Sequence, residues 1–111
     1  DEKAIRSLIT ILLDNAVKYT NERGRIDVTL GKKKNRIYLS VFNTTEYISK
    51  EQTSRLFDRF YRTDISRNSQ TGGYGLGLSI AAATADSHKG KIMAETEDEK
   101  SLRITVTFPG Q

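Results

Sequence analysis

A cluster of glycines directly before a helical segment is the feature that most constrains this chain. Four glycines fall within the six residues from Gly72 to Gly77, and the stretch from Leu78 to Ala85 has the composition of a helix. Glycine destabilises a helix interior, so a cluster at a helix start needs a reason. The free N–H groups and positive dipole of a helix N-terminus attract phosphate. A flexible hinge before a buried helix is the alternative, and the glycines alone do not decide between the two.

Length and composition exclude several classes of protein. The 111 residues are about the length of one domain, which we expect to span residues 1–111. The absence of cysteine rules out disulfides and thiolate metal sites. No apolar run approaches the roughly 18 residues of a membrane span, so we expect no direct membrane contact by this segment. The net charge of +4 is scattered, which does not favour nucleic-acid binding. Because the chain opens on a helical pattern, we expect a domain excised from a longer protein.

The first segment, residues 3–20, has the periodicity of an amphipathic helix. Its predicted core face comprises Ile5, Leu8, Ile9, Leu12, Leu13, Ala16 and Val17. Asn15 and Lys18 share a flank beside that face with Ile11. Asparagine is a poor helix former, so its presence there has two explanations. It is either a chance polar residue at the rim of the core or an amide oxygen offered to a hard cation such as Mg²⁺.

The rest of the chain alternates between strand and helix patterns. We predict a hairpin, a short helix, a polar loop, a second long helix and two closing strands. In order, these elements are strands 26–30 and 37–41 around a turn at 31–35, helix 50–57, loop 63–74, helix 76–87, and strands 91–95 and 102–108. In helix 76–87, we expect Leu76, Ile80 and Ala83 to share one face. This order predicts an α+β fold, with helices layered on one face of an antiparallel-rich sheet.

Two further segments carry possible function. The stretch Leu56–Arg62 alternates aromatic residues with arginines, which suggests either an anchored loop presenting guanidinium groups or ordinary core and surface residues. The loop 63–74 has a single aliphatic residue and lies just before the glycines, where it is placed to act as a lid. His88, Lys89 and Gly90 are typical of a helix end, so we assign His88 a capping role. Gly24 suits the end of the first helix in the same way.

Familiar motifs for other chemistries are missing. The sequence contains no P-loop and no dinucleotide fingerprint following a strand. It also lacks the zinc-protease, serine-hydrolase and EF-hand patterns. The glycine cluster therefore belongs to none of these common nucleotide or metal sites.

Three motifs in order resemble bacterial sensor histidine kinases. The stretch Leu12–Thr20 resembles their N box, Leu56–Arg62 resembles their F box, and Gly73–Ala81 resembles their G2 box. The resemblance covers nearly the whole chain. It implies the family's catalytic ATP-binding domain, a Bergerat-type two-layer α/β sandwich whose sheet is mixed but mostly antiparallel.

The resemblance also implies the site residues. Asn15 would hold Mg²⁺, Lys18 would pair with phosphate oxygens, and Arg59 would reach the γ-phosphate, so these three are the implied catalytic residues. The other residues that the resemblance assigns to the ATP site are Tyr19 beside the adenine, Asn43, Tyr47, Ile48, Phe60, Arg62, Gly73, Tyr74, Gly75, Leu76, Gly77, Leu78 and Thr105.

One motif departs from the family pattern. The G1 box is D-x-G-x-G, in which the aspartate accepts a hydrogen bond from the adenine amino group. Asn43 takes the place of that aspartate, and Thr45 and Tyr47 take the places of the two glycines. A neutral acceptor in place of a charged one predicts about tenfold weaker adenine binding. Tyr47 would either crowd the pocket or line it. We also expect the strands that usually precede the N-box helix to be missing or trimmed.

A second departure concerns hydrolysis. The related gyrase-type ATPases carry a glutamate one turn before the Mg²⁺-binding asparagine to activate water, and here that position is Ile11. Without a general base, hydrolysis should be slow, and the phosphoryl group is kept for an acceptor.

The resemblance implies a protein-histidine kinase that uses ATP and Mg²⁺. It would transfer the γ-phosphoryl group to a histidine on a separate dimerisation domain of the same protein, as the first step of two-component signalling to a response regulator. We expect a cytoplasmic domain of a membrane-anchored sensor. Two alternatives stay open: a degenerate nucleotide-binding or interaction module with weak or no ATP binding, and a gyrase-like ATPase, which Ile11 disfavours.

Overall fold

Three helices and four strands make up the part of the chain that is described. The computed structural model describes residues 2–58 and 77–109. In chain order the elements are α1 (Glu2–Tyr19), β1 (Ile26–Lys33), β2 (Arg36–Thr44), α2 (Lys50–Arg55), α3 (Gly77–Ser87), β3 (Lys91–Glu95) and β4 (Ser101–Pro109). The predicted order of elements is confirmed, and the fold is α+β.

The four strands form one sheet with the order β1-β2-β4-β3. All three of its pairings are antiparallel, so the described strands contain no parallel pair of the expected mixed sheet. Helices α1 and α3 lie together on one face of the sheet. The core between the two layers consists of Leu8, Leu12, Ala16, Leu39, Val41, Ile48, Leu56, Ala81, Ala85, Leu102, Ile104 and Val106.

The hairpin is longer than the alternation of residues indicated. Gly31, Lys32 and Lys33 were expected in the turn, yet they continue β1, and Lys33 pairs with Arg36. Lys34 begins the two-residue connection with a φ of 55°. Tight hairpin turns need such left-handed backbone because its twist matches that of the strands. The lysines are therefore partly strand residues.

The core face predicted for α1 included residues that are exposed, and apolar residues of the neighbouring edge strand β1 are exposed as well. Val17 of α1 is 67% exposed and Leu30 of β1 is 73% exposed, and both Leu13 and Val28 are also exposed. The reason is the position of β1 at the edge of the sheet, since α1 packs over β2 and against α3. Periodicity identifies an apolar face but cannot tell how far the opposite layer extends.

Small residues, rather than large ones, make the buried face of α3. Ala81 and Ala85 are fully buried, whereas Ile80, which was predicted to face the core, is about half exposed. Ala83 is exposed as well. Alanines allow α1 and α3 to approach closely, so the contact selects the face with the smallest side chains.

The end of α3 is closed by His88 and Lys89. The ring Nδ1 of His88 lies 2.8 Å from the Thr84 carbonyl, which confirms the capping role. Lys89, not Gly90, has the left-handed backbone, with a φ of 62°. Gly90 is required for space instead, because a Cβ atom there would lie 2.6 Å from the Thr107 carbonyl oxygen of β4.

Helix α2 begins with a capping box. The Ser49 hydroxyl accepts a hydrogen bond from the Gln52 N–H at 3.0 Å, and the Gln52 side chain accepts one from the Ser49 N–H at 2.8 Å. The helix ends at Arg55, two residues earlier than predicted.

We expect Ser49→Ala to lower the free energy of unfolding by about 1 kcal/mol, because it leaves one N–H of the first turn without a partner. Urea denaturation measures the change. Ser54→Ala is the matched control, since Ser54 is exposed within the same helix and only bonds back to the Glu51 carbonyl. Equal losses for the two variants would contradict the capping role.

Candidate functional site

The flank of α1 that carries Asn15 borders the start of α3. A Cβ atom on Gly77, the first residue of α3, would lie 3.7 Å from Cγ2 of Ile11. Asn15 follows Ile11 by one helical turn and shares its flank. The sequence predicted that the amide and the glycine-bounded helix start would converge, and the packing of α1 against α3 brings these two elements together.

One atom of the Asn15 amide is buried without a partner. Its Nδ2 atom has no hydrogen-bond partner among residues 2–58 and 77–109, although the residue as a whole is half-buried. An unsatisfied buried polar group costs about 1–3 kcal/mol, so such groups call for an explanation. Half a turn about the last side-chain bond exchanges the amide nitrogen and oxygen. The position can therefore offer a donor to a phosphate oxygen or an oxygen to a cation, which fits a phosphate–metal group.

A Mg²⁺ ion at this site would take most of its coordination from a bound phosphate compound and from water rather than from the protein. Among residues 2–58 and 77–109, no three histidine or carboxylate side chains gather into a metal site. Mg²⁺ commonly keeps several waters and binds through one or two protein oxygens together with substrate phosphates. Asn15 alone is compatible with that kind of site.

Lys18 and Tyr19 close the C-terminal end of α1. The Lys18 ammonium lies 5.5 Å from the centroid of the Tyr19 ring, and both side chains are half-buried. A cation at the last turn of a helix is also favoured by the helix dipole. The predicted phosphate-pairing and adenine-bordering residues are thus neighbours at one end of α1.

A group of hydrogen bonds joins the loop after α1 to the end of β2; we call it the Asn21–Thr44 junction. The Thr44 hydroxyl donates to Asn21 Oδ1 at 2.8 Å and accepts from the Arg25 N–H at 2.8 Å. The Asn21 N–H donates to the Thr44 carbonyl at 3.3 Å, and the Thr44 N–H donates to the Arg25 carbonyl at 2.9 Å. The junction fixes the end of β2 relative to α1.

Gly24 is part of this junction for reasons of space. A Cβ atom there would lie 2.5 Å from the hydroxyl oxygens of Thr20 and Thr44 and would also collide with Asn21. The left-handed residue of the loop is Arg23, with a φ of 60°, so Gly24 does not play the helix-ending role expected of it. Sequence reasoning missed the junction, because contacts between residues about twenty positions apart leave no local pattern.

Asn43 lies on the helix side of β2, next to the junction. Its side chain is 1% exposed, and its Nδ2 donates to the Thr44 carbonyl at 3.1 Å. The residue that replaces the G1 aspartate is therefore interior and oriented.

The rest of the altered segment is attached to the β3–β4 turn. The N–H groups of Thr45 and Ile48 donate to the Lys100 and Glu99 carbonyls, each at 2.9 Å. Ile48 is buried in the core. Tyr47 is 55% exposed, and its hydroxyl donates to Glu99 at 3.4 Å. The Glu99 carboxylate raises the pKa of Tyr47, because it disfavours a second negative charge.

Tyr47 therefore lies at the surface beside the β3–β4 turn. Its ring is exposed, and its hydroxyl is bonded to Glu99, one of the acidic residues of the β3–β4 turn. The turn itself is ordered by Asp98, whose carboxylate accepts from the Lys100 N–H and the Ser101 hydroxyl. These hydrogen bonds lower the pKa of Asp98.

Thr105 lies on the other face of the sheet. Its neighbours in β4, Ile104 and Val106, are buried against the helices, and side chains alternate along a strand. Thr105 is paired with Ser40 on the face of the sheet opposite to α1 and α3. The expectation that it contacts the same ligand as Asn15 is corrected by this alternation.

The remaining predicted residues divide into two groups. Gly77 is exposed at the start of α3, and Leu78 is half-buried and packs against the core. The lid segment and the other assigned residues lie outside the described residues: Arg59, Phe60, Arg62, Gly73, Tyr74, Gly75 and Leu76. No helix in the described ranges has the length and apolar character needed to cross a membrane.

Comparisons with known sequences place the chain among ATPases and kinases. A family described as histidine kinase-, DNA gyrase B-, and HSP90-like ATPase matches residues 1–111. Sensor protein CiaH of Streptococcus pneumoniae is 43% identical over 115 residues, covering 100% of this chain and 26% of the relative. Sensor histidine kinase YkoH of Bacillus subtilis is 41% identical, covering 100% of this chain and 24% of the relative. The chain thus spans about a quarter of these curated relatives.

Solved structures agree on the fold. The catalytic domain of histidine kinase ThkA in a nucleotide-free form superimposes with a TM-score of 0.80 at 30% identity, covering 98% of this chain and 68% of that one. Mycobacterial sensor histidine kinase MprB has a TM-score of 0.86 at 23% identity, covering 100% and 75%. The expected Bergerat-type fold is confirmed.

Proposed function

Because this chain belongs to the histidine kinase-, DNA gyrase B- and HSP90-like ATPase family, we propose that it binds Mg·ATP and transfers the γ-phosphoryl group to a protein histidine. The acceptor would lie on a separate dimerisation domain, as the first step of two-component signalling. His88 is not a candidate acceptor, since its ring caps α3.

The observation that carries this proposal is the buried Nδ2 atom of Asn15, which has no hydrogen-bond partner in the described part of the chain and lies one turn after Ile11, the neighbour of the start of α3. A triphosphate with its metal would give a partner to the Asn15 amide and to the helix N-terminus, and its charge is complementary to that of Lys18. If Asn15 were only a polar residue at the rim of the core, nothing would offset the free-energy cost of burying its amide nitrogen.

Different residues would contact the base, the phosphates and the metal. Asn43, in the interior of the sheet, offers an acceptor to the base, and Tyr19 borders it. Lys18 neutralises phosphate charge, and Asn15 holds the metal. When bound, Mg²⁺ would neutralise part of the charge on the phosphate groups. By resemblance, Arg59 and Arg62 stabilise the charge on the transferring group.

Ile11 supports a kinase rather than an ATPase. It occupies the position one turn before Asn15 and packs at the start of α3. An isoleucine cannot take a proton from water, so hydrolysis lacks a general base at this position. The phosphoryl group is then available to an imidazole acceptor, which is itself a nucleophile.

A degenerate module that no longer binds nucleotide is the second candidate. It draws support from Thr45 and Tyr47 in place of glycines. The exposure of Tyr47 supports binding instead, because its ring is not buried in the core and its hydroxyl is bonded to Glu99 of the β3–β4 turn.

The partners and location follow from the relatives as proposals. The relatives are named sensor proteins and are about four times as long as this chain. We propose that the rest of the protein supplies the dimerisation domain and a membrane anchor, that this domain is cytoplasmic, and that a response regulator receives the phosphoryl group.

Calorimetric titration with a non-hydrolysable ATP analogue, with and without Mg²⁺, tests the proposal. We expect micromolar binding that depends on Mg²⁺. No binding at millimolar analogue would overturn the kinase reading in favour of the degenerate module. Steady-state ATP hydrolysis well above background would instead favour a gyrase-like ATPase.

A further inference from the structure

Charged side chains of opposite sign gather at the two ends of the sheet. Arg36 pairs with Pro109 at one end of β4, and Thr44 pairs with Ser101 at the other. The nine residues of β4 place these ends about 26 Å apart. Three acidic residues occupy the β3–β4 turn at the Ser101 end: Glu97, Asp98 and Glu99. Six exposed cations of the described residues gather at the opposite end, which we call the basic end: Lys32, Lys33, Lys34, Arg36, Lys89 and Lys91.

These cations come from two separate segments that meet at Thr107 of β4. From the β1–β2 hairpin, the Arg36 guanidinium donates to the Thr107 hydroxyl at 3.4 Å. From the other side of β4, Lys91 is the direct strand partner of Thr107. Gly90, which lies between Lys89 and Lys91, is so close to β4 that a Cβ atom would be 2.6 Å from the Thr107 carbonyl oxygen. The fold therefore gathers charges that are scattered along the sequence.

No carboxylate neutralises the basic end within the described ranges. Neither stretch, 31–37 nor 88–92, contains an acidic residue, and the nearest in sequence is Asp86 of α3. The ion pairs of residues 2–58 and 77–109 involve none of the six cations. Like charges in proximity attract a common anionic partner, so the basic end has the electrostatic character of a docking surface.

Two exposed aliphatic side chains lie beside these cations. Leu30 is 73% exposed and Ile37 is 42% exposed. Directly paired residues of an antiparallel sheet project to the same face, so Leu30 shares the helix-bearing face with its partner Leu39, as does Ile37. Lys32 is the direct partner of Ile37 on that face. The basic end thus combines apolar and cationic side chains.

We propose that the basic end docks on an anionic lipid bilayer, with its lysines among the headgroups and Leu30 and Ile37 at the boundary with the acyl chains. Clustered cations attract anionic lipids, and exposed aliphatic side chains add apolar burial at the interface. Five of the six cations are lysines, whose compact hydrated charge suits a diffuse headgroup layer better than a bidentate contact with a protein carboxylate. A nucleic acid would complement the charge but not the aliphatic side chains.

The presence of a membrane nearby rests on the proposed function, in which the domain belongs to a membrane-anchored protein. Peripheral docking needs no long apolar run, so it differs from the membrane contact that the lack of a spanning segment led us to exclude. The acidic β3–β4 turn at the opposite end is repelled by the same lipids. The domain would therefore be oriented with its basic end toward the bilayer.

Sedimentation with lipid vesicles tests the docking. We expect the wild-type domain to bind vesicles of phosphatidylglycerol mixed with phosphatidylcholine, to ignore vesicles of phosphatidylcholine alone, and to dissociate as salt screens the charges. The combined change Lys32→Gln, Lys33→Gln and Lys34→Gln should weaken binding by about 100-fold, at about fivefold for each cation near an anionic leaflet.

A matched variant separates the position of these lysines from net charge. Arg23→Gln, Lys50→Gln and Lys100→Gln together remove the same charge from exposed positions near the opposite end. They should weaken binding by less than about threefold, because they lie more than a Debye length from the docked surface. Equal losses for the two triple variants would overturn the proposal.

Two further comparisons test the orientation of the domain. Leu30→Ser should weaken binding by about 5- to 10-fold, whereas Val17→Ser, at a residue of α1 that is 67% exposed, should not change it. The chain has no cysteine, so Asn35→Cys carries an environment-sensitive fluorophore only in the hairpin turn. Its emission should shift to shorter wavelength on anionic vesicles, and that of a fluorophore on Glu97→Cys should not. Equal shifts at both positions would contradict docking through the basic end.

The wild-type results also distinguish this docking from other functions. Failure to bind anionic vesicles, or tighter binding to a DNA duplex than to these vesicles, would overturn the proposal. Vesicle binding needs no nucleotide, so a domain that docks but does not bind the ATP analogue would contradict only the proposed kinase. A domain that binds the analogue but not the vesicles would contradict only the docking.

Discussion

Asn15→Ala is expected to weaken binding of the Mg²⁺ complex of an ATP analogue by about 10- to 100-fold, because it removes an oxygen ligand and a charged-group hydrogen bond. The same variant should leave the empty domain as stable as the wild type or more stable by up to about 1–3 kcal/mol. The reason is that the wild-type amide is buried without a partner, and alanine is the better helix former. Calorimetry and urea denaturation measure the two effects.

The opposite signs of these effects distinguish a ligand-binding residue from a structural one. Asp14→Ala is the control, since Asp14 is the exposed neighbour of Asn15 in α1. It should change neither affinity nor stability appreciably. A loss of stability in Asn15→Ala with unchanged affinity would contradict the assignment of Asn15 to the site.

Leu12→Ala should lower the free energy of unfolding by about 2–5 kcal/mol, the range for deleting a buried leucine side chain. Leu12 is 0% exposed and joins α1 to the core against the sheet. Such a loss is a large part of the 5–15 kcal/mol that stabilises a typical domain. Urea denaturation at constant m-value measures it.

Leu13→Ala removes the same atoms one residue later and is the matched control. Leu13 is 36% exposed, so we expect a smaller loss, of about 1–2 kcal/mol. Equal losses at the two positions would mean that something covers the Leu13 side of α1 as completely as the sheet covers Leu12.

Local patterns were sufficient for the elements of the fold. The 3.6-residue period of α1 and the alternation in β2 and β4 predicted their order and, within a few residues, their bounds. The patterns failed where burial depends on the neighbouring layer. Val17 and Ile80 fit an apolar stripe but remain exposed, because the sheet ends at β1 and because alanines form the α1–α3 contact.

In the candidate site, too, local patterns predicted some residues correctly, whereas contacts between distant segments decided the rest. The choice of Asn15 and Lys18 came from residue types at helical spacing, and their position on α1 agrees with that prediction. Thr105 was assigned from the resemblance and lies on the face of the sheet opposite to α1 and α3. The support of Asn43 by Thr44 and Asn21 had no signal at all, since it joins two segments that only the fold brings together.

By itself, the sequence determined the α+β class, the order of the elements and the chemistry available on α1, because these depend on spacing within a segment. Only the tertiary structure decided that the Asn15 Nδ2 atom is buried without a partner among the described residues, that Tyr47 lies at the surface beside Glu99, and that the buried Asn43 side chain is bonded to the Thr44 carbonyl. Burial and hydrogen-bond partners are properties of contacts between segments distant along the chain, and no local pattern specifies them.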